Sequence, residues 1–285
     1  MLDFMIFALA MLFSYYAESE FFIFAASIII MVRFLIMWYK PVLTAWPKNR
    51  GKTGKIVLGA LPALALAIIL AVLRTMAAFD VVGFWVLFYL LIGFAWMSFS
   101  VYLMEKYLDL FRAYDIIHLG NKAAIFPVAA GFIGLTCIYA GANIGDGPGW
   151  WVVFIAGAIG AAAWVFLAYI ISATSRASER ITVDRDVACG VRFGAYLLAS
   201  GIILARASGG DWTSFWQTIL EFGVGWPVLP LALLALIVEQ FYMRYTPSEQ
   251  NRKNHIGVSV FLGCVYVAWA IVSLAPVVSS AVVGG

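Results

Sequence analysis

Arg192 lies about one and a half helical turns inside an apolar run that opens at Asp186. Placing such a side chain within a membrane-length helix costs at least ~2.5 kcal/mol, so its presence needs a reason. It could contact an ion or a lipid headgroup in a vestibule. It could instead pair with Glu239 or Asp186, or snorkel its long stem toward phosphates. At helical spacing Tyr196 shares its face. The other candidates sit nearer the ends of apolar runs: Arg33 about two turns in, Arg74 and Arg206 at the far ends, and Glu239 close to Arg244. No predicted span carries a carboxylate near its middle, which argues against a proton-coupled pump.

Enzyme chemistry finds no support, so no catalytic, cofactor-binding or metal residues are expected and the protein is read as not an enzyme. The two histidines, His118 and His255, fall in predicted loops and fit no H-E-x-x-H pattern. Nucleophile-elbow, phosphate-loop, dinucleotide and potassium-filter motifs are all missing. Asn143-Ile-Gly-Asp-Gly-Pro-Gly reads as a tight turn, because it opens directly into Trp150 and a span. Cys137, Cys189 and Cys264 each lie within an apolar run, at spacings that match no zinc or redox motif, and read as packing residues. The net charge of +3 says little about nucleic acid, and no nucleic-acid partner is expected.

The elements that position these residues follow from composition. Of 285 residues, 64% are hydrophobic and 12% charged, and the mean hydropathy is +0.97. A soluble domain carries about 25% charged residues. Lipid is the solvent that accommodates this chain, and an all-α polytopic bundle forming one membrane domain over 1–285 is expected. Eight bilayer-length runs stand out: Phe21–Tyr39, Ile56–Ala78, Gly83–Met104, Ala123–Gly141, Trp150–Ile171, Val187–Ala207, Pro227–Tyr245 and Ile256–Pro276. Leu2–Tyr16 is a ninth, at about 22 Å either a short tilted span or a helix lying against the others. Glu18 and Glu20 separate it from the next run. Asp3 is the only early charge, so a cleavable signal peptide is not expected.

Lysine and arginine alternate between loops. Loops 40–55, 105–122, 172–186 and 244–255 are rich in them, and the intervening loops are nearly free of them. The bias places the rich loops in the cytoplasm and the C-terminus outside. Trp85, Trp150, Trp151, Trp212, Trp216 and Trp226 fall at predicted outer boundaries, and Trp38 and Trp46 at an inner one. On the outer side, Asp211 is a plausible N-cap for an amphipathic helix over Trp212–Phe222. Its apolar face includes Trp212 and Trp216 and its polar face Glu221. It reads as an interfacial connector or as a docking or gating element. Glu105–Leu119 reads as an amphipathic helical extension, either solvated or a docking surface.

The runs also repeat. Units open at Asn121, Asp186 and Asn254, at separations of 65 (186 − 121) and 68 (254 − 186) residues. This divides the chain into N-terminal helices over 1–120, units at 121–185 and 186–253, and a half unit at 254–285. Two spans per unit imply pseudo-symmetry along the membrane normal, unlike inverted repeats. Gly190, Gly194, Gly201 and Ala205 line one stripe, and Gly157 and Gly160 form a second small surface. Such surfaces let helices approach within the chain or between chains.

The stretch Asp184-Arg-Asp-Val-Ala-Cys-Gly-Val-Arg-Phe-Gly-Ala-Tyr, followed by Gly210-Asp-Trp, resembles the YjfL-like family of bacterial inner-membrane proteins. Asn121-Lys-Ala-Ala and Asn254-His-Ile-Gly resemble the same opening, so the likeness spans about 121–275. It implies paired helices in a bacterial inner membrane and carries no activity. The functional expectation is a structural or partner-binding component of a membrane complex, in contact with lipid and with other membrane chains in a homo- or hetero-oligomer. The alternative is a transporter or channel for an ion or small solute, with Arg192 lining a cavity.

Overall fold

The computed structural model describes residues 2–17, 20–46, 51–244 and 252–283. Glu18, Lys48, Arg50 and the 245–251 connection lie outside these residues, as do the side chains of Arg244, Arg252 and Lys253. The helices are α1 (Leu2–Ala17), α2 (Phe21–Thr44), α3 (Lys52–Thr75), α4 (Phe84–Tyr107), α5 (Ile125–Ala142), α6 (Trp150–Ser175), α7 (Ala177–Thr182), α8 (Val187–Ala207), α9 (Phe215–Glu221), α10 (Val228–Arg244) and α11 (Arg252–Val283). Among the described residues seven helices are long and apolar enough to cross a membrane: α2, α3, α4, α5, α6, α8 and α11. The chain is an all-α, multi-pass membrane protein. At the predicted span Pro227–Tyr245, α10 covers 17 of the described residues, and together with the segment before it, across a 47° bend, it makes an eighth apolar stretch of span length.

The architecture is a row of helices with a second row packed on it. In the first row α5 lies between α3 and α8, and α8 between α5 and α11. In the second, α4 packs on α5, α6 on α5 and α8, and α10 on α6 and α8; α2 and α1 pack beside α4. Neighbours within the first row run parallel. Along α5 and α8, Ala123 meets Gly190, Pro127 meets Gly194, Gly134 meets Gly201 and Gly141 meets Ala205. Between α8 and α11, Arg192 Nη1 donates to Ser259 Oγ and Arg206 Nη1 to the Ser273 carbonyl, both across 67 residues. Gly134 and Gly201 are also 67 apart (201 − 134). One register therefore serves both seams.

The α5–α8 seam is close because it lacks side chains. A Cβ on Gly201 would stand 2.4 Å from Gly134 Cα, and one on Gly190 would stand 2.2 Å from the Ala123 carbonyl oxygen. Lipid tails are as apolar as leucine, so helices gain by dispersion contact over matched backbones rather than by apolarity alone. Three buried indoles tie helices together: Trp38 donates to the Leu58 carbonyl (2.8 Å), Trp96 to Leu135 (2.7 Å) and Trp164 to Leu197 (2.9 Å). Trp38 was expected at a wet interface, but it is fully buried. Its N–H is satisfied by a helix carbonyl instead of water.

Two further expectations change. Glu105–Leu119 is not a continuous helical extension. The helix α4 ends at Tyr107, Asp109 adopts φ +53°, and a wide π turn follows over Arg112–His118. The turn is docked rather than solvated. Ile116 and Ile117 are buried, and Arg112 stacks 4.5 Å over the Trp38 ring and donates to the Met37 carbonyl. On the other side of the bundle, the short helix runs over Phe215–Glu221 and is capped by Ser214, which accepts from the Gln217 amide. Asp211 does not cap it, because its Oδ1 accepts from the Asp146 amide in the neighbouring loop.

Candidate functional site

Asp186 stops the chain from entering α8 in a random register. In extended conformation, its carboxylate accepts from the Cys189 amide at 3.0 Å, the expected N-cap contact. Six residues on, Arg192 points away from the glycine seam toward α10 and α11. Glu239, from α10, receives it at two points: Nε to Oε1 at 2.6 Å and Nη2 to Oε2 at 2.9 Å. The remaining nitrogen donates to Ser259 Oγ of α11 at 2.6 Å, and Ser259 donates its own proton to the His255 carbonyl. The guanidinium plane lies 4.1 Å from the Tyr242 ring centre.

The network extends toward the end of the bundle that carries the basic loops. Arg180 of α7 donates to Glu239 Oε2 at 3.1 Å and to Asp186 Oδ2 at 2.7 Å. The Cys189 thiol stands 3.6 Å from Glu239 Oε2. Two arginines thus face two carboxylates, and each of Arg192's three nitrogens donates to an acceptor. Burial works to lower the Arg180 pKa, but Cys189, Glu239 and Asp186 together hold it above its ordinary value. Burial works to raise the Asp186 pKa, yet the Cys189 amide and the Arg180 guanidinium hold it below the usual carboxylate value. Chemically this arrangement fastens α7, α8, α10 and α11 together. It leaves Arg192 sealed from solvent.

The other sequence candidates do not join it. Tyr196 is buried one turn farther along α8, stacked on Phe193, and its hydroxyl has no protein partner among the described residues. Trp212, Trp216 and Glu221 lie at the opposite end: Trp212 packs edge-on against Trp151, Trp216 is exposed, and Glu221 accepts from Gln217. Gly190, Gly194 and Gly201 line the α5 seam, Gly157 abuts the Trp96 ring, and Gly160 abuts Ser208 and Ile138. His118 and His255 sit within helical turns rather than loops, with the His255 ring edge-on to Tyr242.

Sequence reasoning missed Arg180, Cys189, Tyr242 and Ser259 as members of the network. The parallel 67-residue register would have pointed to Ser259. It also missed a second polar contact. Arg33 is paired: its Nε donates to Asp3 Oδ1 at 2.6 Å, and Ser98 donates to the other Asp3 oxygen at 2.7 Å. That trio pins α1 to α2 and α4 through the one early charge.

No curated protein and no solved structure matches the chain. Residues 150–277, which run from α6 into α11 and contain the whole buried network, match the model of a family described as a Domain of Unknown Function (DUF350).

Proposed function

We propose that the protein is a structural, partner-binding component of a bacterial inner-membrane assembly, built from tandem two-helix units of the YjfL-like kind. The observation that carries this reading is the closure of Arg192. It is 1% exposed, and Glu239 and Ser259 take up its nitrogens. A solute pathway would use that charge in the open, whereas a scaffold would use it as a fastener. The glycine seam between α5 and α8 leaves no lumen at the middle of the first row. The equal register of the two parallel seams supports duplication of one unit along the membrane normal.

The partner surface is the free flank of α11. Phe261, Ile271 and Val272 are exposed along that flank. The occupant is a second copy of this chain, because parallel packing on a like helix is what α8 already offers to α11. The orientation follows the arginine and lysine bias, with the end bearing Arg180 and Arg112 in the cytoplasm. These two loops also meet through the Ser178 hydroxyl and the Leu108 carbonyl. Native mass spectrometry after extraction in mild detergent tests the reading: a dimer or higher assembly is expected. A lone monomer that carries a solute across proteoliposomes would replace it with the transporter reading.

A further inference from the structure

At the end of the bundle opposite Arg192, four connections line a cleft of about 440 Å³. That is the size of a small-molecule site rather than an ion cage. Glu20, Asp80 and Asp146 line it, and among the described residues no lysine, arginine or histidine does. Trp85, Tyr89 and Trp150 supply aromatic walls. Burial raises the Glu20 pKa. The walls are tied to one another before any ligand arrives. Ala77 bridges Gly145 by backbone pairing, the Gly210 amide donates to the Ile144 carbonyl, and the Trp212 amide donates to the Asp146 carbonyl.

We infer that this cleft binds an organic ammonium group, with carboxylates supplying the charge and the indole and phenol faces holding its alkyl shell. The acids do not converge. Among the described residues no three of Asp, Glu, His or Cys stand close enough together to hold a metal ion. A cation spread over carbon and nitrogen suits dispersed carboxylates and aromatic faces, and a compact metal ion does not. The ammonium can come from a free amine or from a lipid headgroup. The inference is independent of the scaffold reading.

The test uses the full chain in nanodiscs of phosphatidylglycerol, which bring no amine. Ethanolamine and choline are titrated by calorimetry at constant ionic strength. Saturable binding is expected, weakened at least tenfold by Asp80→Asn and by Trp85→Leu and unchanged by Asp184→Asn at the other end. Thermal melting checks that each variant is folded. In discs containing phosphatidylethanolamine, loss of free-amine binding marks the headgroup as the source, and retained binding marks a free amine. No saturation by either amine with folded protein would overturn the inference. So would calcium that binds equally well and displaces both.

Discussion

Arg192 and Glu239 meet at two points, 2.6 and 2.9 Å, with both side chains at most 2% exposed. A guanidinium is planar and presents parallel N–H bonds that match the two oxygens of a carboxylate, so this geometry exploits what lysine lacks. The pair joins α8 of the first row to α10 of the second, and Ser259 extends the join to α11. The network comes from four helices, α7, α8, α10 and α11, and its local charges cancel. That is why so polar a cluster can sit in an otherwise apolar bundle.

Removing one partner should cost far more than the pair contributes. Glu239→Gln strands the Arg192 charge and should destabilise the protein by about 3–5 kcal/mol. Arg192→Met combined with Glu239→Leu should recover part of that loss, since no buried charge is left unpaired at this point. Unfolding in mixed micelles, analysed as a double-mutant cycle, measures the coupling. Additive losses would show that the two side chains do not interact.

The glycine seam should tolerate no added methyl. Gly201→Ala puts a Cβ 2.4 Å from Gly134 Cα, and backbone on both sides cannot move aside cheaply. A loss of about 1–3 kcal/mol is expected. Gly59→Ala is the control, because a Cβ there meets nothing within 4 Å and should be neutral or mildly stabilising. Equal effects at the two positions in the same unfolding assay would count against close packing.

The cap of α8 should weaken in acid. Asp186 has a folded pKa below its unfolded value of 3.8, so its contribution is complete above that value and is lost as pH falls through the folded pKa. Hydrogen exchange at the Cys189 and Gly190 amides should therefore accelerate below about pH 4. In Asp186→Asn, which keeps a capping oxygen but has no charge to lose, the acceleration should vanish. An unchanged acid response in that variant would assign it to other carboxylates.

Sidedness is tested with single cysteines in a chain lacking Cys137, Cys189 and Cys264. Asp184→Cys and Asp146→Cys both replace exposed residues, at opposite ends of the bundle. An impermeant maleimide applied to intact cells should modify the second and spare the first. Labelling of both from one compartment would undo the proposed topology.

Much of the bundle was legible in one dimension. The span Val187–Ala207 has the same bounds in sequence and in structure, and six more runs appear as membrane-length helices with ends shifted by a few residues. Apolar length is a local property, and in lipid every backbone group must bond within its own segment, so composition alone decides helix. The exceptions mark where a distant contact wins. Glu105–Leu119 breaks where Ile116 packs on Gly54 of α3 and Arg112 stacks over Trp38 of α2. Asp211 leaves its expected cap because the Asp146 amide, 65 residues away in sequence, needs an acceptor.

By itself the sequence determined a helical membrane protein, the approximate ends of its spans, and Arg192 as a charge out of place. Only the tertiary structure decided what became of that charge. Whether an arginine snorkels, lines a cavity or is sealed by Glu239 and Ser259 depends on which faces of α8, α10 and α11 oppose one another. Helix-forming tendency is set residue by residue. The choice of facing helix is set by how closely two whole surfaces approach, and it is written in no single stretch of the chain.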